Sequence, residues 1–393
     1  MASILRHPLC GLFFAFIFGA ALLISGCATP YVPPKVEEPG LTKASSFGGI
    51  MSFAEQEDLR VVWVHGMCTH KEDWADNRHA LLQQAIPIGS SSRNTVYGPR
   101  RTARVTFNHS VNGHSLELRF LVWSPLAADA KIAIGLDHND ELKRASLNRD
   151  LKNGLIDDCF SDAVIYTGAA GDPIRSWMRS EVCDALGGNI SAAGRCVIDN
   201  SEPRRKTVLV AESLGSKILS DAIVAIWQTA PASEQSRIAQ RLGDVQMVFL
   251  LANQIPLLNA ATYSPGAARI AADKSADRAS GSLLDVFASA RSRKNKAFVA
   301  EPSGSIRFVA FTDPNDLLSY RLFPKAYLPA DMKITNVIVS NDQTYLGLLE
   351  RPDTAHCGYG WNPAVIATVA QGYDGKRLGS IPVNVPHSCG LGG

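Results

Sequence analysis

Short runs of β-branched and large apolar residues recur along this chain and break at glycine, proline or serine. Val61–His65 stops at Gly66 and predicts a buried strand. Leu116–Trp123 alternates apolar and polar before Ser124-Pro125 and predicts another. Thr207–Val210, Val245–Leu251, Ile306–Phe311 and Ile334–Val339 predict four more. Between them the apolar period becomes helical, as at Leu214, Ile218, Leu219, Ile223 and Ile226 within Ser213–Trp227. Further helical stretches lie near Lys71–Ala85 and Pro173–Leu186. Asn362-Pro363 offers an N-cap and a proline at the first helical position, so Ala364–Ala370 reads as a helix. Short buried strands alternating with helices predict an α/β fold, a mostly parallel sheet covered on both faces. Leu126–Cys159 and Ile255–Asn295 are polar and Ala/Ser-rich, and read as insertions over one edge.

The N-terminus departs from this pattern. Arg6 precedes an apolar stretch, Leu9–Ile24, which is shorter than the roughly 20 residues of a spanning helix and has the form of a secretory signal. It ends in Ile24-Ser25-Gly26-Cys27, which resembles the lipobox of bacterial lipoproteins. The resemblance implies a signal peptide over residues 1–26 and lipidation at Cys27. With Ala28 after the cysteine, it implies attachment to the outer membrane of a bacterial envelope, facing the periplasm. More than one acyl chain makes such a hold lasting. The prolines of Ala28–Ser46 predict an extended tether, so the folded domain is expected over 51–393 and the tether over 27–50.

Hydrophobic residues make up 46% of the 393 positions, which excludes a disordered chain, and a net charge of +2 gives no global field for nucleic acid. The basic stretch Arg93–Arg104 shows no aromatic stacking pattern and reads as a solvated loop or hairpin. Beyond Cys27 lie six cysteines with no CxxC or HExxH pattern, so no metal or cofactor is expected. Cys183 and Cys196 are the closest plausible disulfide pair. Asp137-His138-Asn139-Asp140 looks ligand-like but reads as an exposed loop or helix start.

Ala211-Glu212-Ser213-Leu214-Gly215 falls where a strand meets a helix. A nucleophile on a sharp strand-to-helix turn needs small neighbours two residues before and after it, and Ala211 and Gly215 satisfy that. The string alone turns up by chance in roughly one chain in three of this length, so its position carries the weight. His65-Gly66-Met67 follows an earlier strand. There Gly66 permits a tight turn, the amide of Met67 can face a site, and His65 reads as structural. The amide of Leu214, at a helix start, is the second candidate oxyanion donor.

A strand ending in His-Gly, then Ala-x-Ser-x-Gly, then Asp, then His, over about Val61–Gln371, resembles the α/β-hydrolase superfamily, and its lipase and esterase branch most. The resemblance implies the order nucleophile, acid, histidine. It makes Ser213 the nucleophile, His356 the base in preference to His387, and Asp316 the acid in preference to Asp313, which is expected to start a turn. Asp353 lies too near the histidine to be a strong rival. It further implies that Cys68 and Cys357, each beside a proposed site residue, lie near enough to pair. The expected activity is hydrolysis of a small-molecule or lipid carboxylic ester. Acyl transfer on the same fold and a catalytically silent scaffold binding an envelope partner are the alternatives.

Overall fold

The computed structural model describes residues 34–136, 143–262, 281–297, 305–323, 328–345 and 348–383. A nine-stranded sheet runs through it. In chain order its strands are β1 (Lys35–Glu37), β2 (Leu59–Val64), β3 (Ser92–Tyr97), β4 (Ala103–Val111), β5 (His114–Val122), β6 (Lys206–Glu212), β7 (Val245–Leu251), β8 (Ile306–Thr312) and β9 (Met332–Ile338). Their order across the sheet is β1-β9-β8-β7-β6-β2-β5-β4-β3. The six strands from β9 to β5 are parallel, and β1, β4 and β3 are antiparallel to their inner neighbours.

The parallel strands are apolar at successive positions because both faces are covered. Val62, Leu209, Val248 and Phe308 enter one core, while Val61, Val210, Phe249 and Val309 enter the other. Helices α2 (Asp172–Ala185), α3 (Leu214–Thr229), α4 (Ala232–Gly243) and α5 (Gly281–Ala297) contribute to the first core. Helices α1 (Glu72–Ala85) and α7 (Pro363–Gln371) contribute to the second. Asn362 caps α7 as the sequence predicts, its side chain accepting from the amides of Ala364 and Val365.

From β2 the chain crosses to the far edge at β3 and works back through β4 to β5 beside β2, then places β6 on the other side of β2. The carboxyl ends of β2 and β6 therefore flank the reversal, the position at which open α/β sheets form a crevice.

Three expectations need correction. The 27–50 tether is shorter than its composition suggests. Lys35–Glu37 pairs with β9, and Glu38 is buried against Ser45 and Arg307. Phe47–Gly48 and Ile50–Ala54 are likewise a strand and a helix. The insertion expected over Ile255–Asn295 is partly framework. A parallel β7-to-β8 connection needs a crossover, and α5 lies within it with Leu283, Leu284, Phe287 and Ala290 buried. Cys68 bonds Cys159 rather than Cys357, because the segment after β5 folds back over the end of β2. The basic stretch Arg93–Arg104 is, as expected, a largely exposed hairpin, mostly β3–β4 at the sheet edge.

The expected Cys183–Cys196 bridge is formed. The insertion after β5 is helical, with helices at Ala128–Gly135 and Ser161–Thr167 and a wider turn over Leu151–Phe160. Asp137–Asp140 and His387 lie outside the described residues.

Candidate active site

Ser213 sits between β6 and α3 with φ 50° and ψ −123°, a conformation costly for any residue with a Cβ. The neighbouring glycines make that turn possible. A Cβ on Gly215 would lie 2.5 Å from the carbonyl oxygen of His65, so α3 packs directly on the end of β2. A Cβ on Gly66 would meet the Cβ of Ser213 at 2.8 Å, so the 66–67 backbone passes against Ser213. Cys68 and Ala252, which line the same cleft, also have positive φ.

Ser213 Oγ lies 2.7 Å from His356 Nε2. On the other side of the ring, His356 Nδ1 is 2.9 and 3.0 Å from the two carboxylate oxygens of Asp316. That carboxylate also accepts from the Leu318 amide at 2.9 Å and from the Tyr359 hydroxyl at 2.9 Å. His356 belongs to the short helix α6 (Pro352–Cys357), and Asp316 to the loop after β8. Burial disfavours the charged imidazole, but the charge and hydrogen bond of Asp316 outweigh it and hold His356 above its ordinary value of 6.5.

Asp313 is not part of this array. Its oxygens accept from the amides of Asn315 at 2.9 Å and Asn341 at 2.6 Å, which makes it the start of the turn. Burial raises its affinity for a proton, and Glu350 beside it is pushed up to about 7 by burial and by the charge of Asp313. Asp353 is engaged by Arg351 at 2.5 Å.

The loop after β2 is pinned at each peptide. His65 Nε2 accepts from the amides of Trp123 at 3.0 Å and Ser124 at 3.3 Å, so Nδ1 carries the proton and donates to Gly66 O at 2.8 Å. In a trans peptide the C=O and N–H point opposite ways, so the same bond orients the Met67 amide. His65 is therefore structural, as its position suggests, and its imidazole sets the direction of a candidate oxyanion donor. Buried desolvation keeps it neutral, well below its ordinary range. Next along, Met67 O accepts from His70 Nε2 at 2.9 Å, the Cys68 amide donates to Asp162 at 2.8 Å, and the Thr69 amide donates to Asp158 at 3.2 Å. Leu214, the first residue of α3, supplies an N–H with no helical acceptor.

Comparison with protein-family models, curated proteins and solved structures finds no match.

A cleft of about 570 Å³ opens over Ser213 and His356, its walls including Met67, His70, Trp74 and Trp361. Two residues around it carry no signal in the sequence. Arg78 on α1 holds Glu212 through contacts of 2.7 and 3.0 Å, donates to Gly360 O at 3.1 Å, and lies 4.6 Å from the Trp361 ring centre. It joins the strand leading to Ser213 to the segment after His356. Burial opposes the Glu212 charge, but Arg78 and the Trp63 indole hold it ionised. Tyr359, three residues after His356, bridges the two acids by donating to Asp316 and accepting from the Asp313 amide at 2.6 Å. Among the described residues, the one grouping with metal-ligand spacing is Cys68, Asp158 and Cys159, and its two sulfurs are consumed by their disulfide.

Proposed function

We propose that this chain is a serine hydrolase of the α/β-hydrolase kind, acting on carboxylic esters and held to a bacterial envelope by lipid on Cys27. The observation that carries the catalytic part is the continuous contact from Ser213 Oγ through His356 to Asp316, on a strained turn at the sheet's reversal point. A silent scaffold would have no use for that strain or for the buried carboxylate behind the imidazole.

In this reading Ser213 Oγ attacks the ester carbonyl carbon as its proton passes to His356 Nε2. Asp316 keeps Nδ1 protonated and stabilises the imidazolium. The carbonyl oxygen, now negative, is met by the amides of Leu214 and Met67. The tetrahedral species collapses by breaking the bond to the alcohol oxygen, which takes the proton from Nε2. Water then attacks the acyl carbon, losing a proton to His356. The bond to Ser213 Oγ breaks, Oγ takes that proton back, and the acid leaves. A cleft with two tryptophans among charged side chains suits an ester with both an apolar and a polar part.

The test is labelling with a fluorophosphonate followed by peptide mapping. The label is expected on Ser213, and Ser213→Ala is expected to lose turnover of p-nitrophenyl esters by several orders of magnitude. Undiminished turnover by the alanine variant overturns the reading.

A further inference from the structure

β1 runs antiparallel to β9, with Lys35 opposite Ile338, the last residue of β9. The chain thus enters the fold at the carboxyl edge of the parallel strands, the edge that bears Ser213. From Cys27 to Pro34 there are too few residues to span more than about 25 Å, even fully extended. A lipid on Cys27 therefore holds the catalytic edge, and not the opposite one, next to the bilayer.

The exposed apolar side chains are distributed accordingly. The five most exposed large ones among the described residues are Leu348, Leu136, Leu317, Ile132 and Val164, at 86, 81, 74, 67 and 64%. All lie in segments that leave the carboxyl ends of β5, β8 and β9. Ile132 and Leu136 are one turn apart, as are Phe160 and Val164, so helices of the insertion present apolar stripes outward. The insertion is fastened to the cleft by the Cys68–Cys159 bond, and Leu317 adjoins Asp316. Apolar side chains this exposed, gathered on one edge of the sheet, point to an interaction surface there.

We infer that this face is a lipid-docking surface: the protein lies with its cleft toward the bilayer that anchors it, and Leu136, Leu317 and Leu348 enter the headgroup region. The inference rests on lipidation at Cys27. With a net charge of +2, apolar burial rather than attraction to anionic lipid supplies the hold, so neutral phosphatidylcholine suffices.

Amide hydrogen exchange of the lipidated protein on phosphatidylcholine vesicles tests it, with Cys27→Ser protein in solution as reference. Exchange in Ala128–Leu136, Phe160–Val164 and Leu317–Phe323 is expected to slow about tenfold or more on vesicles. The Gly188–Ile198 hairpin, at the opposite edge, should not change. Leu136→Asp/Leu348→Asp is expected to abolish the slowing while keeping its lipid and its Ser213 labelling in detergent. The inference is overturned by an unlipidated Cys27, by slowing at Gly188–Ile198 instead, or by unchanged slowing in the double variant. Equal protection in the soluble Cys27→Ser protein overturns it too, because the chain itself would then cover the face. Exchange involves no turnover, so failure here and failure of Ser213 to label are separate results.

Discussion

His356 feels two opposed influences on its proton. Burial favours the neutral ring, and the Asp316 carboxylate at 2.9 Å favours the charged one and prevails. Only the neutral ring can take the proton of Ser213. The acid limb of kcat/KM is therefore expected to rise with a midpoint above 6.5, as read from a pH–rate profile. Asp316→Asn removes the prevailing influence, so that limb should move down as burial takes over. The asparagine keeps the shape of the acid but loses its charge and admits the wrong imidazole tautomer. Turnover should therefore fall by a factor on the order of 10⁴, with little change in melting temperature. Asp313→Asn is expected to do the reverse. It can no longer accept from the half-buried amide of Asn341, which costs on the order of 1 kcal/mol and lowers the melting temperature, while most activity stays. Turnover and melting of the two variants, measured side by side, check both.

At the scale of elements, the two disulfides differ in what they close. Cys68–Cys159 spans 91 residues and Cys183–Cys196 spans 13, so chain entropy alone assigns them roughly 4–5 and 3 kcal/mol. Cys159→Ala is expected to shift the denaturation midpoint more than Cys196→Ala, and it alone should also lower turnover, because it frees the loop that carries Met67. How far such elements could be read from sequence follows from burial. The six parallel strands are rich in buried apolar residues and stand out, whereas Lys35–Glu37 and Ser92–Tyr97 lie at edges, where a strand need bury little and its composition resembles a loop. The buried Leu283, Leu284, Phe287 and Ala290 do recur at helical spacing, but Ala, Ser and charged neighbours dilute them. Ser213, Asp316 and His356 were legible because a strained turn and a fixed chain order constrain local residues. Arg78 and Tyr359 were not, since a guanidinium that meets a carboxylate 134 positions away leaves no local trace.

For the molecule as a whole, the β1–β9 pair joins opposite ends of the described chain. During synthesis the segment that becomes β1 emerges before every other strand of this sheet, yet its partner is the last of the sheet to emerge. Until β9 has formed, the sheet has an open edge beside it, and the first strand has nothing to pair with. The strand nearest the proposed lipid anchor is thus the last to be locked in place. Once locked, it would also be the first to bear any tension between that anchor and the fold, with three residues of pairing and the Arg321–Glu37 and Arg307–Glu38 contacts standing between the pull and the sheet.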